Sequence, residues 1–362
     1  MFYQSNINAY SYQFSSWKQY IVSRFVSLKS NLRTEKHIQK AIDKHGEVNL
    51  LVWSVRQQYS LPQIQGLNVI SVEDGFVRSV GLGAEHTMPI SLVFDDLGIY
   101  FDSTSENRLE HILNELESTE TIEQTARKII NLIRLYQINK YNLNENEWQV
   151  KVNRKIIVVP GQVENDKSIQ YGSPVVKDNL TLLKEVRRRN PDSYIVFKVH
   201  PDIYRNCRVN HTSKKQYYEY ADEVVENFST FSLIKHADEI HTMTSLFGFE
   251  ALLQHKKVVC YGQPFYAGWG LTEDIYPVER RKNHLTLEQL VYGAYFVYPM
   301  YVSLITGQRI NAMEAIAEIA RIKQNQDLVR IKIPAKEKVA DFFKKTILSV
   351  KEHLENGSIK RV

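Results

Sequence analysis

Cysteine is nearly absent from this chain: 362 residues hold two, Cys207 and Cys260, at no metal-ligand spacing. A disulfide scaffold and a cysteine-rich zinc centre are thereby excluded, and a reducing cytoplasm is the expected setting. Long apolar runs are missing as well, none approaching the ~18–20 residues of a membrane span. The opening "MFYQSNINAYSYQF" lacks the basic-then-apolar order of a secretory signal. Neither sign of charge dominates: 46 basic against 41 acidic residues leave +5, an excess that admits anionic partners and names none. With no zinc-finger pattern, RNA-recognition signature or basic stripe, nucleic acid is not an expected partner. Glycine is sparse, at 15. Yet Gly75, Gly81 and Gly83 crowd into "SVEDGFVRSVGLGAEH", directly behind the adjacent acids Glu73 and Asp74. Such density is expected where a strand ends at a pocket and backbone must approach a ligand closely.

What is present alternates. The length exceeds one hydrophobic core, so two domains are expected. "VNLLVWSV" (48–55) and "LNVISVED" (67–74) are short, β-branched apolar runs that read as buried strands. "ISLVFDD" and "GIYFDS" flank Leu97-Gly98 as a hairpin or strand pair. "TIEQTARKIINLIRLYQIN" (121–139) has helical spacing, and the polar "KYNLNENEWQVKVNRK" after it reads as a linker. Alternation then restarts with strands at "KIIVVPGQ" (155–162) and "SYIVFKVHPD" (193–202), and a helix between them. "ADEIHTMTSLFGFEALLQHKKVVCYGQPF" reads as strand, turn, helix, strand. This order favours parallel sheets with ligand loops at the carboxyl ends of the strands. The expected fold class is α/β, GT-B-like, with two Rossmann-like domains, 1–150 and 151–310, facing across a cleft. Residues 311–362 are expected to be C-terminal helices. There Val339, Phe342, Phe343, Ile347, Val350 and Leu354 share one face with lysines mostly opposite, a helix that either packs back or lies on a membrane. "FSSWKQYIVSRFVSLKSNLR" near the N-terminus has the same two readings.

Four stretches at strand ends carry chemistry. In the Glu73/Asp74 pair, burial and a neighbour's charge can raise one pKa into the range of a general acid/base; a turn with solvated acids is the alternative. In "PGQVENDKS", Gly161 and Gln162 lead to Asp166 and Ser168, where the carboxylate is a nucleophile, a sugar-hydroxyl ligand or a helix cap. In "FKVHPD", Pro201 orients His200 to donate to a phosphate or leaving-group oxygen and Lys198 adds charge, unless the histidine is structural. In "HTMTSLFGFEALL", Thr242, Thr244 and Ser245 precede a helical run containing Glu250, giving an anion site or an ordinary N-cap. "YGQPFYAGWGLT" sets Phe265, Tyr266 and Trp269 among glycines, as a loop closing over a ligand or as core. No DxD-type pair stands in a donor-side loop, so no metal is expected; Asp95-Asp96 reads as structural or acceptor-side.

Taken together, "EDGFVRSVGLGAE", "PISLVFDDLGIYFDST", "VPGQVENDKSI", "HPD", "HTMTSLFGFEALL", "YGQPFYAGWGLTED" and the late "YPMYVSLITGQ" resemble the capsular-polysaccharide β-Kdo transferases of the KpsC type, from about residue 68 to about residue 308. Members of that family often carry two modules in tandem, and "PGQVENDKS" looks more like the second; this chain has room for one. The resemblance implies transfer of Kdo, an acidic eight-carbon sugar, from CMP-β-Kdo to a glycolipid or oligosaccharide acceptor with retention of configuration. It implies Asp166 as nucleophile, Glu73 (or Asp74) as acid/base, and His200, Thr244 and Ser245 on the CMP phosphate. Arg78 and Lys198 would meet the Kdo carboxylate or the phosphate. Gly161, Gln162, Ser168, Pro201, Thr242, Glu250, Tyr266 and Trp269 would complete the nucleotide and donor site. Residues 1–150 would then be the acceptor side and 151–310 the CMP side. Asn165 departs from the acid expected there, leaving Asp166 as the only aspartate of its loop. No cofactor beyond the donor is implied; a capsule-assembly complex and a place at the inner face of the cytoplasmic membrane are. The competing readings are a CDP-glycerol-type phosphotransferase, which shares the His-Pro motif but needs no carboxylate nucleophile, and a non-catalytic polysaccharide-assembly module.

Overall fold

The computed structural model describes residues 9–53, 61, 63–83, 86–143, 145–205 and 214–325. In its first sheet β1 (Ala9–Tyr12), β2 (Leu28–Leu32), β3 (Val48–Val52) and β4 (Leu67–Asp74) run parallel in the order β4-β3-β1-β2. β5 (Ser91–Asp95) lies antiparallel on β4, placing Glu73 opposite Val93 and Asp74 opposite Leu92. The second sheet is parallel throughout. It comprises β6 (Ile156–Pro160), β7 (Tyr194–Lys198), β8 (Glu223–Val225), β9 (Glu239–Thr242), β10 (Lys257–Cys260) and β11 (Glu273–Asp274), in the order β11-β10-β9-β6-β7-β8. All of β9 and nearly all of β6 and β7 are buried, as befits parallel strands covered on both faces.

The chain then returns. β12 (Pro299–Val302) pairs antiparallel with β5, and β13 (Arg309–Ile310) with β12, so both belong to the first sheet. Residues 299–310 therefore depart from the expectation that 151–310 form one unit. β5 is wholly buried and needs a partner on its open edge. The expected partner "GIYFDS" does not form a strand. Instead Asp95 accepts the backbone N–H groups of Leu97 (3.0 Å), Gly98 (2.8 Å) and Arg108 (3.0 Å), which turns the chain away after β5. It also accepts the Tyr298 hydroxyl at 2.7 Å, tying the start of β12 to the same point. The Asp95-Asp96 pair is structural: Asp96 holds Arg108 at 2.7 Å.

The Glu120–Tyr136 helix is capped by the Thr119 side chain and packs against the Leu287–Val291 and Ala312–Gln324 helices. The last of these buries Ala315, Ile316 and Ile319 and so packs back on the protein. The amphipathic stretch around Phe342 lies outside the described residues. The Ser16–Ser23 helix buries Trp17, Ile21 and Val22 beside Phe14, Leu92 and Met300, which settles that segment as packed on its own chain. No helix among the described residues is long and apolar enough to cross a membrane. Phe76, just beyond β4, stacks on Phe265 at 4.4 Å, with Phe249, Tyr295 and Tyr298 at 6.1–6.4 Å. Rings of this size dominate core energetics, and here they join the two sheets below the cleft.

Candidate functional site

A cavity of about 650 Å³ lies between the carboxyl end of β4 and the loops after β6, β7 and β9. Glu73 and Asp74 face it from one side, and Asp166, His200, Thr244 and Ser245 from the other. Burial, then the Asp74 charge, push the Glu73 carboxyl up to about 7. Asp74 Oδ2 is held by Arg78 Nε at 2.6 Å, while Oδ1 is buried without a partner. Arg78 is buried too and donates further to Ser79 Oγ (2.7 Å) and Thr87 Oγ1 (2.8 Å). It was expected to meet a ligand anion; it lines the cavity, and its guanidinium also fixes Asp74.

The glycines behind the acids also serve the protein itself. A Cβ on Gly75 would fall 2.2 Å from Ser91 Oγ, and one on Gly83 would fall 2.8 Å from Arg78 Nη2. The backbone is thin there so that β5 and Arg78 can lie against it, and Gly83 also lines the cavity.

On the facing wall Asp166 caps the Lys167–Gly172 helix, its Oδ1 accepting the Ser168 N–H at 2.9 Å. It is thus both a helix cap and a cavity-lining carboxylate. Ser168 lines the cavity beside it. Gly161 leaves β6 against β7, where a Cβ would meet the Phe197 ring at 2.7 Å. Gln162 is buried and pairs reciprocally with Thr244: Nε2 donates to Oγ1 and Oε1 accepts the backbone N–H, both at 2.9 Å. This amide locks the loop after β6 to the loop after β9.

His200 caps the Pro201–Tyr204 helix, its Nδ1 accepting the Asp202 N–H at 3.1 Å. With that nitrogen occupied as an acceptor, the neutral ring carries its proton on Nε2. Burial lowers the His200 pKa against the pull of Asp202 and Asp166, so the group presented is a neutral N–H donor. Ser245 caps the Leu246–Leu252 helix, its Oγ accepting the Phe247 N–H at 3.2 Å.

Four expected ligand residues turn inward instead. Lys198 is buried in an ion pair with Glu145 (3.0 Å) and donates to the Phe228 carbonyl; it lines only a smaller cavity of about 90 Å³ that shares His200 and Ser245 with the first. Thr242 is fully buried, its Oγ1 accepting the Ser245 N–H at 3.3 Å. Tyr266 and Trp269 are fully buried, donating to the carbonyls of Ser245 (2.5 Å) and Phe265 (2.8 Å). The aromatic loop is therefore core, because the Arg281 guanidinium gathers its carbonyls from beneath, Pro264 and Ala267 (2.7 Å) among them. Of that loop only Pro264 and Phe265 reach the large cavity. Glu250 is buried on the smaller cavity, its carboxyl pushed up to about 7 by burial, and accepts the Lys140 N–H at 3.1 Å.

Three lining residues carried no signal recognised in the sequence: Trp17 and Trp53 at one end of the large cavity, and Lys140 in the stretch read as a linker. Helical spacing marked Trp17 only as apolar, and Lys140 sits in a polar run whose partners are remote in sequence. Among the described residues no group of three or more His, Cys, Asp or Glu is arranged to hold a metal ion.

Residues 54–146 and 124–310 match the family model described as "Capsule polysaccharide biosynthesis protein". Over 324 residues the chain is 42% identical to the capsule polysaccharide modification protein LipA of Neisseria meningitidis serogroup A / serotype 4A, covering 86% of this chain. It spans 45% of that relative's length. Two solved structures share the fold. The Thermosulfurimonas dismutans KpsC beta Kdo 2,7 transferase is 44% identical with a TM-score of 0.76, covering 87% of this chain and 99% of that one. The beta Kdo 2,4 transferase of the same KpsC is 28% identical with a TM-score of 0.75, covering 88% of this chain and 100% of that one.

Proposed function

The chain belongs to the capsule polysaccharide biosynthesis family, and on that premise we propose that it is a Kdo glycosyltransferase acting on CMP-β-Kdo with retention of configuration. The observation that carries the reading is a pair of unlike carboxylates on opposite walls of one cavity. Glu73 sits at about 7, and Asp166 has one oxygen anchored by a backbone amide. A double displacement uses both. Asp166 attacks C2 of Kdo as the C2–O bond to phosphate breaks, leaving a glycosyl ester and CMP. His200 Nε2–H and Ser245 receive the departing phosphate, which leaves as a stable anion and needs little protonation. An acceptor hydroxyl then attacks C2, its proton passes to Glu73, and the ester bond breaks to restore the Asp166 carboxylate. The greater identity to the 2,7 transferase favours O7 of an acceptor Kdo as that hydroxyl.

Incubation with CMP-Kdo and a panel of Kdo-terminated acceptors, with products read by NMR, tests the reading. Glu73→Gln should slow the second step and let a +Kdo adduct accumulate on the peptide containing "GQVENDKS". Asp166→Asn should abolish both adduct and turnover. Near-normal turnover by Asp166→Asn would sink the double displacement, and no consumption of CMP-Kdo with any acceptor would sink the activity.

A further inference from the structure

Lys140 is the cation that the proposed reaction does not yet use. It lines both cavities, and its backbone is pinned from two sides: its N–H donates to Glu250 (3.1 Å) and its carbonyl accepts the Ser79 N–H (3.4 Å). The pinning continues at Tyr141, whose carbonyl accepts the Gly81 N–H at 2.8 Å, and at Asn142, whose Nδ2 donates to the Ser79 carbonyl at 2.9 Å. The side chain therefore leaves a fixed point of the crossing between the sheets. Its ammonium lies 5.4 Å from the Tyr141 ring centre and makes no hydrogen bond or ion pair within the described protein.

The other cations of the large cavity are placed differently. Arg78 is spent on Asp74 (2.6 Å), Lys167 donates to Gln170 (2.8 Å), and Lys18 lies over the Trp53 ring at 5.0 Å. Burial opposes the Lys140 charge, but Tyr141, Tyr100, Asp74 and Glu73 around it more than compensate, and it stays protonated. A half-buried ammonium with three donors and no acceptor is an anion site.

We propose that Lys140 binds the carboxylate of the acidic sugar, holding the anomeric carbon between Asp166 and Glu73. This rests on the reading of the site as a Kdo transferase. A CMP-linked keto-acid sugar carries two anions beside its anomeric carbon, the phosphodiester and the carboxylate. His200 Nε2–H and Ser245 face the first. Lys140 lines the large cavity with Glu73, Asp74 and Asp166 as well as the smaller one with His200 and Ser245. With no hydrogen-bond or ion-pair partner among the described residues, it is free to take the carboxylate.

The test compares CMP with CMP-Kdo as ligands of wild type, Lys140→Met and Lys140→Arg. Wild-type turnover of CMP-Kdo establishes the underlying reading by itself. In K140M the KM for CMP-Kdo should rise at least tenfold while the dissociation constant of CMP moves less than twofold, and K140R should recover most of the affinity. CMP affinity falling in step with CMP-Kdo would put Lys140 on the phosphate and overturn the assignment. Unchanged KM in a folded K140M would overturn it as well. K140Q repeats the comparison should K140M not fold.

Discussion

Glu73 is where the chemistry is most open to measurement. As the proposed base for the acceptor proton it must be ionised, and burial, then the Asp74 charge, push its carboxyl up to about 7. The rate of transfer should therefore fall about tenfold per pH unit below 7 and level off above it, and the limb should vanish from the residual activity of Glu73→Gln. A pH–rate profile without an acid limb near 7 would remove Glu73 from that role. Glu250 is raised in the same direction, and its consequence is read in stability. Its folded pKa, about 7, lies above the unfolded 4.5, so the native state resists ionisation. The cost is absent below 4.5, grows between 4.5 and 7, and is complete above 7, on the order of 3 kcal/mol. Glu250→Gln should lose less thermal stability than wild type between pH 5 and 8; an identical loss would show that Glu250 is not the group responsible. The acids were legible in the sequence as a pair, but their partners were not. Nothing local announces that Arg78 folds back on Asp74, or that Lys198 is consumed by Glu145.

The strands β3 to β7, β9 and β10 were readable, because short β-branched runs ending at Gly, Pro or Asp leave few alternatives. β1, β8 and β11 to β13 were not, and β2 lies in a stretch read as an amphipathic helix. The elements that misled were those whose fate is decided by distant contacts. "GIYFDS" looks like a strand until Asp95 gathers three amides, and the aromatic loop looks like a lid until Arg281 pulls it into the core. Gly161 marks a contact the pattern did hint at. Gly161→Ala would drive a Cβ to 2.9 Å from the Lys198 carbonyl as well as into Phe197, costing about 1–3 kcal/mol. A denaturant midpoint equal to wild type would contradict that close contact. At the other end of the cavity Trp53, half-buried beside the Lys18 ammonium, lines the wall with a ring of the sort that sugars stack on. Trp53→Ala should raise the acceptor KM by about five- to tenfold, worth ~1–1.5 kcal/mol, with hydrolysis of CMP-Kdo unchanged; a loss of donor hydrolysis instead would place Trp53 on the donor.

Among the features that join the two sheets are the aromatic core under the cleft, the Lys140–Asn142 crossing, the Glu110 pairs with Arg280 and Arg281, and the return of β12 and β13. We propose that the chain works at the inner face of the cytoplasmic membrane, from the sequence spacing of Phe342, Phe343 and Ile347 with Lys338, Lys344, Lys345 and Lys351 nearby. Flotation with anionic liposomes should weaken when residues 326–362 are removed, and equal partitioning would count against the tail. In the proposed mechanism the phosphate departs onto His200 and Ser245 without an ion, so turnover in EDTA should match the untreated rate; loss restored by magnesium would overturn that proposal.

The return strand also sets an order of events. During translation β5 emerges long before the segment that will cover its edge, since Pro299–Val302 is made only after the entire second sheet. At ~5–20 residues per second the gap is on the order of 10–40 s. For that interval the nascent chain carries, with one side unpaired, a strand that the folded protein buries completely and whose centre is Leu92, Val93 and Phe94. A ribosome stalled between residues 100 and 298 would thus release a polypeptide prone to clump or to recruit a chaperone, whereas one stalled beyond 310 would not.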